Sequence, residues 1–205
     1  MSNKIPKPVP PPIQILWALV GLLLTIGGTF LEVFATTPPW VWTGQGIKTV
    51  SLGVTYQIGA VLLTGCLGGA KAGALSQIAY IVVGLTWLPV FDRGGGWNYL
   101  KSPSFGYILG FVAGAWVCGW LAFRVFPRLE SLAFSSLCGL LTIHLYGIAY
   151  LLVFQYISTI QLVNSHAFSL KEAIFRYSIY PLPGQLALVC AVAVLSFLLR
   201  RIMFY

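Results

Sequence analysis

The residues of this 205-residue chain able to do chemistry are few: four acids, two histidines and four cysteines. Metal-dependent hydrolysis needs ligands at a spacing such as HExxH, which does not occur. An intramembrane protease needs a buried Ser with a His, or two buried Asp, and no Asp lies within an apolar run. His144 sits alone inside such a run, where an imidazole more often bridges helices or lines a polar cavity than catalyses. The run Gly44-Gln45-Gly46-Ile47-Lys48-Thr49 hints at a phosphate loop. It fails GxxxxGK[ST], because Ile47 separates Gly46 from Lys48 and no strand is expected before it. Cys66, Cys118, Cys138 and Cys190 form no CxxC pair and read as small core side chains. The expectation is a chain with no catalytic residue, no metal and no cofactor, and so not an enzyme.

The elements that would hold any site are dictated by composition. The chain is 58% apolar and 8% charged, with a mean hydropathy of +0.87. A soluble domain carries about 25% charged residues, because its surface must face water. In lipid that requirement lapses and the apolar excess becomes the outer surface. A spanning helix needs roughly 20 apolar residues to cross a hydrocarbon layer about 30 Å thick. Six stretches meet this: Ile13 to Leu31, Val50 to Leu67, Ala72 to Val90, Tyr107 to Phe126, Ser131 to Tyr156 and Leu182 to Leu199. The fold class expected is an all-α membrane protein, a six-transmembrane-helix bundle. One integral domain covers 13–205 behind a short proline-rich lead-in over 1–12.

Short turns and long connections alternate, so the long ones (32–49, 91–106 and 157–181) share one side. Lys4, Lys7, Lys71, Arg124, Arg128, Arg200 and Arg201 lie on the short-loop side. Lys48, Arg93, Lys101, Lys171 and Arg176 lie opposite, with Glu32, Asp92 and Glu172. The positive-inside rule therefore places both termini in the cytoplasm and the long loops outside, in a multi-pass cell-membrane protein. Cations scattered at helix ends fit lipid headgroups rather than nucleic acid, and the bilayer is the expected partner. The outer loops carry Trp40, Trp42, Trp97, Tyr99, Phe105, Phe168, Tyr177 and Tyr180, either as an interfacial belt or as the roof of a pocket. Gly21, Thr25 and Thr29 form a small-residue stripe on the first span, suited to internal packing or to a partner helix. Ion-coupled carriers place acids near the bilayer midplane, and this chain has none there.

One block is more specific. Val54-Thr55-Tyr56-Gln57 is followed by Gly68-Gly69-Ala70-Lys71-Ala72-Gly73-Ala74-Leu75, then by Gly84-Leu85-Thr86-Trp87-Leu88-Pro89-Val90-Phe91 and Gly94-Gly95-Gly96. Ser102-Pro103-Ser104-Phe105-Gly106-Tyr107-Ile108-Leu109-Gly110-Phe111 completes it. This resembles the BioY family, the biotin-specific S-components of energy-coupling-factor (ECF) transporters. The resemblance implies a six-helix protein that captures biotin outside. It would work with a transmembrane coupling subunit and two ABC ATPases.

A biotin ligand asks for hydrogen-bonding partners at its ureido ring, apolar or aromatic walls, and a cation or N–H groups at its carboxylate. With the resemblance, Thr55 and Gln57 are candidates for the ureido or pocket lining, Tyr80 and Tyr107 for walls, and Arg93 for the carboxylate, with Lys101 second. An Asp92 or headgroup contact is the equal alternative for Arg93. Family members carry PGDxxK at the start of the last helix. Here Pro183-Gly184-Gln185-Leu186-Ala187-Leu188 puts Gln185 in place of the acid and Leu188 in place of the lysine. Gln185 keeps hydrogen-bonding capacity, so it joins the candidate site. The alternatives are an S-component or solitary carrier for another vitamin-like ligand, or a non-transporting scaffold with the same fold.

Overall fold

A computed structural model describes residues 10–36, 48–92, 94–160 and 169–203. Helix α1 spans Pro11–Phe30, with prolines at its first positions, where a missing N–H costs nothing. Pro11 and Pro12, placed in the lead-in by the sequence, are helical. The chain then forms an antiparallel pair, β1 (Glu32–Thr36) and β2 (Thr49–Thr55). Helix α2 follows at Gln57–Thr86, a 3-10 turn at Trp97–Lys101, α3 at Phe105–Ala122 and α4 at Leu129–Ile160. A short α5 (Leu170–Ile174) passes through a π turn (Phe175–Ile179) towards α6 (Leu182–Ile202). Among the described residues, five helical segments are long and apolar enough to cross a membrane, the last running Leu170–Ile202.

Two expectations need correction. Residues 50–55 belong to a strand, not to the second span. The sequence Thr49-Val50-Ser51-Leu52-Gly53-Val54-Thr55 alternates polar and apolar, the two-residue period of a strand with one face covered. Val54 packs with Val33 and Leu188 on that covered face. The long connection expected over 157–181 is helical over most of 170–181, where α5 and the π turn lie.

The long α2 is not straight. Gly69 has φ 81° and ψ 179°, outside the helical region and accessible to glycine without strain. Gln57 and Tyr80 would be roughly 35 Å apart on a continuous helix. Instead Gln57 Nε2 donates to Tyr80 Oη at 2.8 Å. A Cβ on Gly73 would come within 3.3 Å of the Gly65 Cα, so the two arms, 57–68 and 70–86, fold back on each other.

The core gathers where α2, α3 and α4 meet, around Leu62, Phe111, Ala115, Leu140 and Ile143. Helix α1 lies against α2, and α6 closes against α2 and α4. Rows of exposed Leu, Ile and Phe remain outside, such as Ile15, Leu19 and Leu23 on α1 and Phe134, Leu141 and Leu145 on α4. Such rows suit a hydrocarbon solvent and would be untenable in water.

The Gly21, Thr25 and Thr29 stripe is turned inwards, with Thr25 fully buried. A Cβ on Gly21 would collide with Thr64 of α2. Internal packing against α2 is the role the structure describes for this face.

Candidate functional site

The elements converge at one end of the bundle, where a cavity of about 370 Å³ lies among their ends. This is within the roughly 300–1,000 Å³ usual for small-molecule sites. Strand β2 delivers Thr55, the start of α2 delivers Gln57, and the start of α3 delivers Tyr107. The π turn delivers Arg176 and Tyr177, and the start of α6 delivers Gln185. Four of the sequence-predicted residues, Thr55, Gln57, Tyr107 and Gln185, thus line a single cavity.

Tyr80 stands one layer back rather than forming a wall. Its ring is fully buried, edge-on to Phe91 at 5.3 Å, and its hydroxyl donates to the Val90 carbonyl at 3.0 Å. Its hydroxyl meets the cavity lining at Gln57. Arg93 lies outside the described residues, although its neighbour Asp92 lines the cavity. Lys101 ends the 3-10 turn, exposed, and is not a lining residue. Leu188 packs into the small apolar cluster with Val33 and Val54.

The deep wall holds a hydrogen-bonded chain that crosses three helices and the π turn. Tyr107 Oη lies 2.6 Å from Ser178 Oγ, and Ser178 Oγ lies 3.1 Å from His144 Nδ1. His144 Nε2 lies 2.7 Å from Gln185 Oε1. Gln185 is 4% exposed and His144 is 7% exposed, so the chain is shielded up to the point where Gln185 meets the cavity. The Tyr107 ring is seated against Gly147, where even a methyl group would overlap it.

The mouth is charged. Glu32, Asp92 and Arg176 line the cavity, and Glu32 also accepts a hydrogen bond from Ser51 Oγ at 3.3 Å. Of the aromatic loop residues, Tyr99 and Tyr177 line the cavity, whereas Trp97 and Tyr180 point outwards. Trp40, Trp42 and Phe168 lie outside the described residues.

Sequence reasoning passed over Arg176 and Ser178, whereas His144 bridges helices, one of the two readings expected for it. Arg176 counted only as a loop cation, and no motif marks Ser178. The π turn that brings Arg176, Tyr177 and Ser178 to the site has no periodic signature in sequence. Such turns recur at functional sites, where one extra residue per turn re-aims side chains.

The architecture is that of a helical membrane bundle with a mixed polar and aromatic cavity at one end. The structure superposes on the S-component for biotin from an ECF-type ABC transporter with a TM-score of 0.62. That match covers 93% of this chain and 89% of the other at 18% identity, so it establishes the fold. The BioY family profile matches residues 13–204, and the chain belongs to the BioY family.

Similar proteins include an uncharacterized 21.2 kDa protein of Cyanophora paradoxa, 28% identical over 92% of this chain and 95% of that protein. The probable biotin transporter BioY of Lysinibacillus sphaericus is 42% identical over 48% of this chain and 51% of its own length. The biotin transporter BioY of Thermotoga maritima is 37% identical over 46% and 56%, respectively. The alignments to these two transporters therefore span about half of each.

Proposed function

We propose that this protein captures biotin as the substrate-binding subunit of an ECF-type transporter and serves its uptake across the cell membrane. The observation that carries the reading is the lining of the cavity, in a chain that matches the BioY family over nearly its full length. The buried amide of Gln185 and the half-buried amide of Gln57 line the wall, and a guanidinium stands at the mouth. A neutral ureido head fits the first and a carboxylate tail the second, in the order a valerate chain would span them. Arg176 supplies the mouth cation, and Arg93, next to the lining residue Asp92, is the second anchor.

The reversal at Gly69 supports reading α2 as two crossings and the bundle as six, with both termini on one face. The charge bias of the short loops makes that face cytoplasmic. The cavity then opens outwards, as capture requires, and a transmembrane coupling subunit with two ABC ATPases supplies the work. Titration of detergent-solubilised protein with labelled biotin tests the reading. Saturable binding is expected, and no binding up to high micromolar biotin rejects it.

A second reading, capture of a different vitamin-like ligand, is favoured by Gln185 and Leu188 standing where the resemblance implies an acid and a lysine. Competition of bound biotin by other cyclic ureas and lactams separates the two.

A further inference from the structure

Two glutamines face the cavity, and each has one end of its amide committed to a buried ring. Gln57 Nε2 donates to the Tyr80 hydroxyl at 2.8 Å, and that hydroxyl donates onward to the Val90 carbonyl at 3.0 Å. Thr29 Oγ1, 3.3 Å from the same hydroxyl, already donates to the Thr25 carbonyl. With its proton given to Val90, Tyr80 can only accept from Gln57. The end of the Gln57 amide left for the cavity is its Oε1, an acceptor.

Gln185 is held in the opposite sense. Its Oε1 meets His144 Nε2 at 2.7 Å, so a neutral His144 carries its proton on Nε2. The bare Nδ1 accepts from the Ser178 hydroxyl at 3.1 Å, and Ser178 Oγ accepts from Tyr107 at 2.6 Å. Each hydrogen in this chain has one destination. Among the described residues no group takes Gln185 Nε2, which leaves a donor facing the cavity.

Taking the cavity as the ligand site, we infer that His144 and Tyr80 are positioning residues that fix opposite hydrogen-bonding polarity at Gln185 and Gln57. The cavity is thereby set for a neutral head that carries a carbonyl acceptor beside an N–H donor, the chemistry of a cyclic urea or lactam. A glutamine free to rotate its amide would accept either polarity. A glutamine pinned at one end leaves a polar group unpaired when the wrong head enters, and that is where discrimination comes from. A guanidino head, with donors in place of the carbonyl, meets the Gln185 donor directly.

The experiment uses full-length protein labelled with ¹⁵N-histidine, together with biotin and 2-iminobiotin as probes. With His166→Ala to assign the spectrum, ligand-free His144 is expected as the Nε2–H tautomer, and the Nδ1–H tautomer overturns the inference. Wild-type protein is expected to prefer biotin over 2-iminobiotin by at least about 100-fold, as sites built to pair a polar group do. His144→Phe, which keeps a ring without its nitrogens, is expected to cut that ratio at least about tenfold. His144→Gln, able to donate to the same Oε1, is expected to hold it within about threefold of wild type.

An unchanged ratio in His144→Phe overturns the inference even where biotin binds. Should that variant fail to fold, Gln185→Glu decides instead. An acceptor-only side chain is expected to shift preference towards 2-iminobiotin, and an unshifted preference overturns the inference. Wild-type protein that binds no biotin rejects the ligand reading itself, and the selectivity claim goes with it. The tautomer measurement in ligand-free protein still judges the chain of hydrogen bonds separately.

Discussion

Two buried polar networks run through this bundle, and they differ in where they end. Between α1 and α2, Gln77 Nε2 donates to Thr25 Oγ1 at 3.0 Å and to Ser76 Oγ at 2.9 Å. Thr25 and Ser76 return their own hydrogens to carbonyls of their own helices, at Gly21 and Gly73. This network closes on itself within two packed helices. The second network ties Tyr107 of α3, Ser178 of the π turn, His144 of α4 and Gln185 of α6 together, and it ends on a cavity with a donor uncommitted. A buried polar side chain in a membrane bundle is therefore not by itself a sign of a site. Polar capacity left facing a cavity is the better sign, and Gln185 has it whereas Gln77 does not.

Matched substitutions at the two glutamines test this most strongly. Gln185→Leu is expected to weaken biotin binding by about 30-fold or more, roughly 2–3 kcal/mol, from the lost contact and the stranded His144. Titration calorimetry reads it, and an affinity within threefold of wild type would remove Gln185 from the site. Gln77→Leu should leave affinity unchanged. Thr25 and Ser76 keep their helix-carbonyl bonds, and Gln77 Oε1 already has no partner among the described residues. Its cost in stability is expected to stay near 1 kcal/mol, the scale of hydrogen bonds between membrane helices.

At the mouth, Arg176→Ala is expected to lose about tenfold in affinity, since a charge-assisted contact in a partly wet site is worth about 1.4 kcal/mol. The biotin amide, which lacks the carboxylate, should show no such loss. Arg93→Ala with unchanged affinity rejects the second anchor. Gly147→Ala sharpens the comparison from the packing side. Its methyl group overlaps the Tyr107 ring and must push it off Ser178. A loss of about 1–3 kcal/mol in stability from overpacking is expected, with affinity falling alongside it.

Much of this molecule is legible in its sequence, for identifiable reasons. The spans are written in hydropathy because lipid removes the need for a polar surface. The turn at Gly68-Gly69 is written in residue type because only glycine adopts its conformation without strain. Thr55, Gln57, Tyr107 and Gln185 were reachable through resemblance, since local motifs keep their place at the ends of helices. The β1–β2 pair was also in plain view, in the alternation over 49–55, but hydropathy averaged over a window hides a two-residue period. What could not be read is tertiary. Tyr80 as a second-layer support depends on α2 folding back on itself, and Ser178 depends on the π turn. The pairing of His144 with Gln185 spans 41 residues, and no local pattern encodes it.

The smallest effect is expected from Thr25→Val, and it is also the most searching test of the separation between the networks. The valine keeps the shape and removes a hydroxyl whose acceptor, the Gly21 carbonyl, sits inside a helix. Gln77 Nε2 retains Ser76, so a stability change of about 0.6 kcal/mol is expected, with biotin affinity unchanged. A physical route between the networks nevertheless exists. Thr29 Oγ1 donates to the Thr25 carbonyl and lies 3.3 Å from the Tyr80 hydroxyl, which in turn receives Gln57. The substitution leaves that carbonyl in place, so Thr29 and Tyr80 should not move. If melting in detergent shifts only slightly but biotin affinity falls severalfold, the α1–α2 network is coupled to the cavity through Tyr80. The polarity of Gln57 would then be set from α1 as well as from within α2.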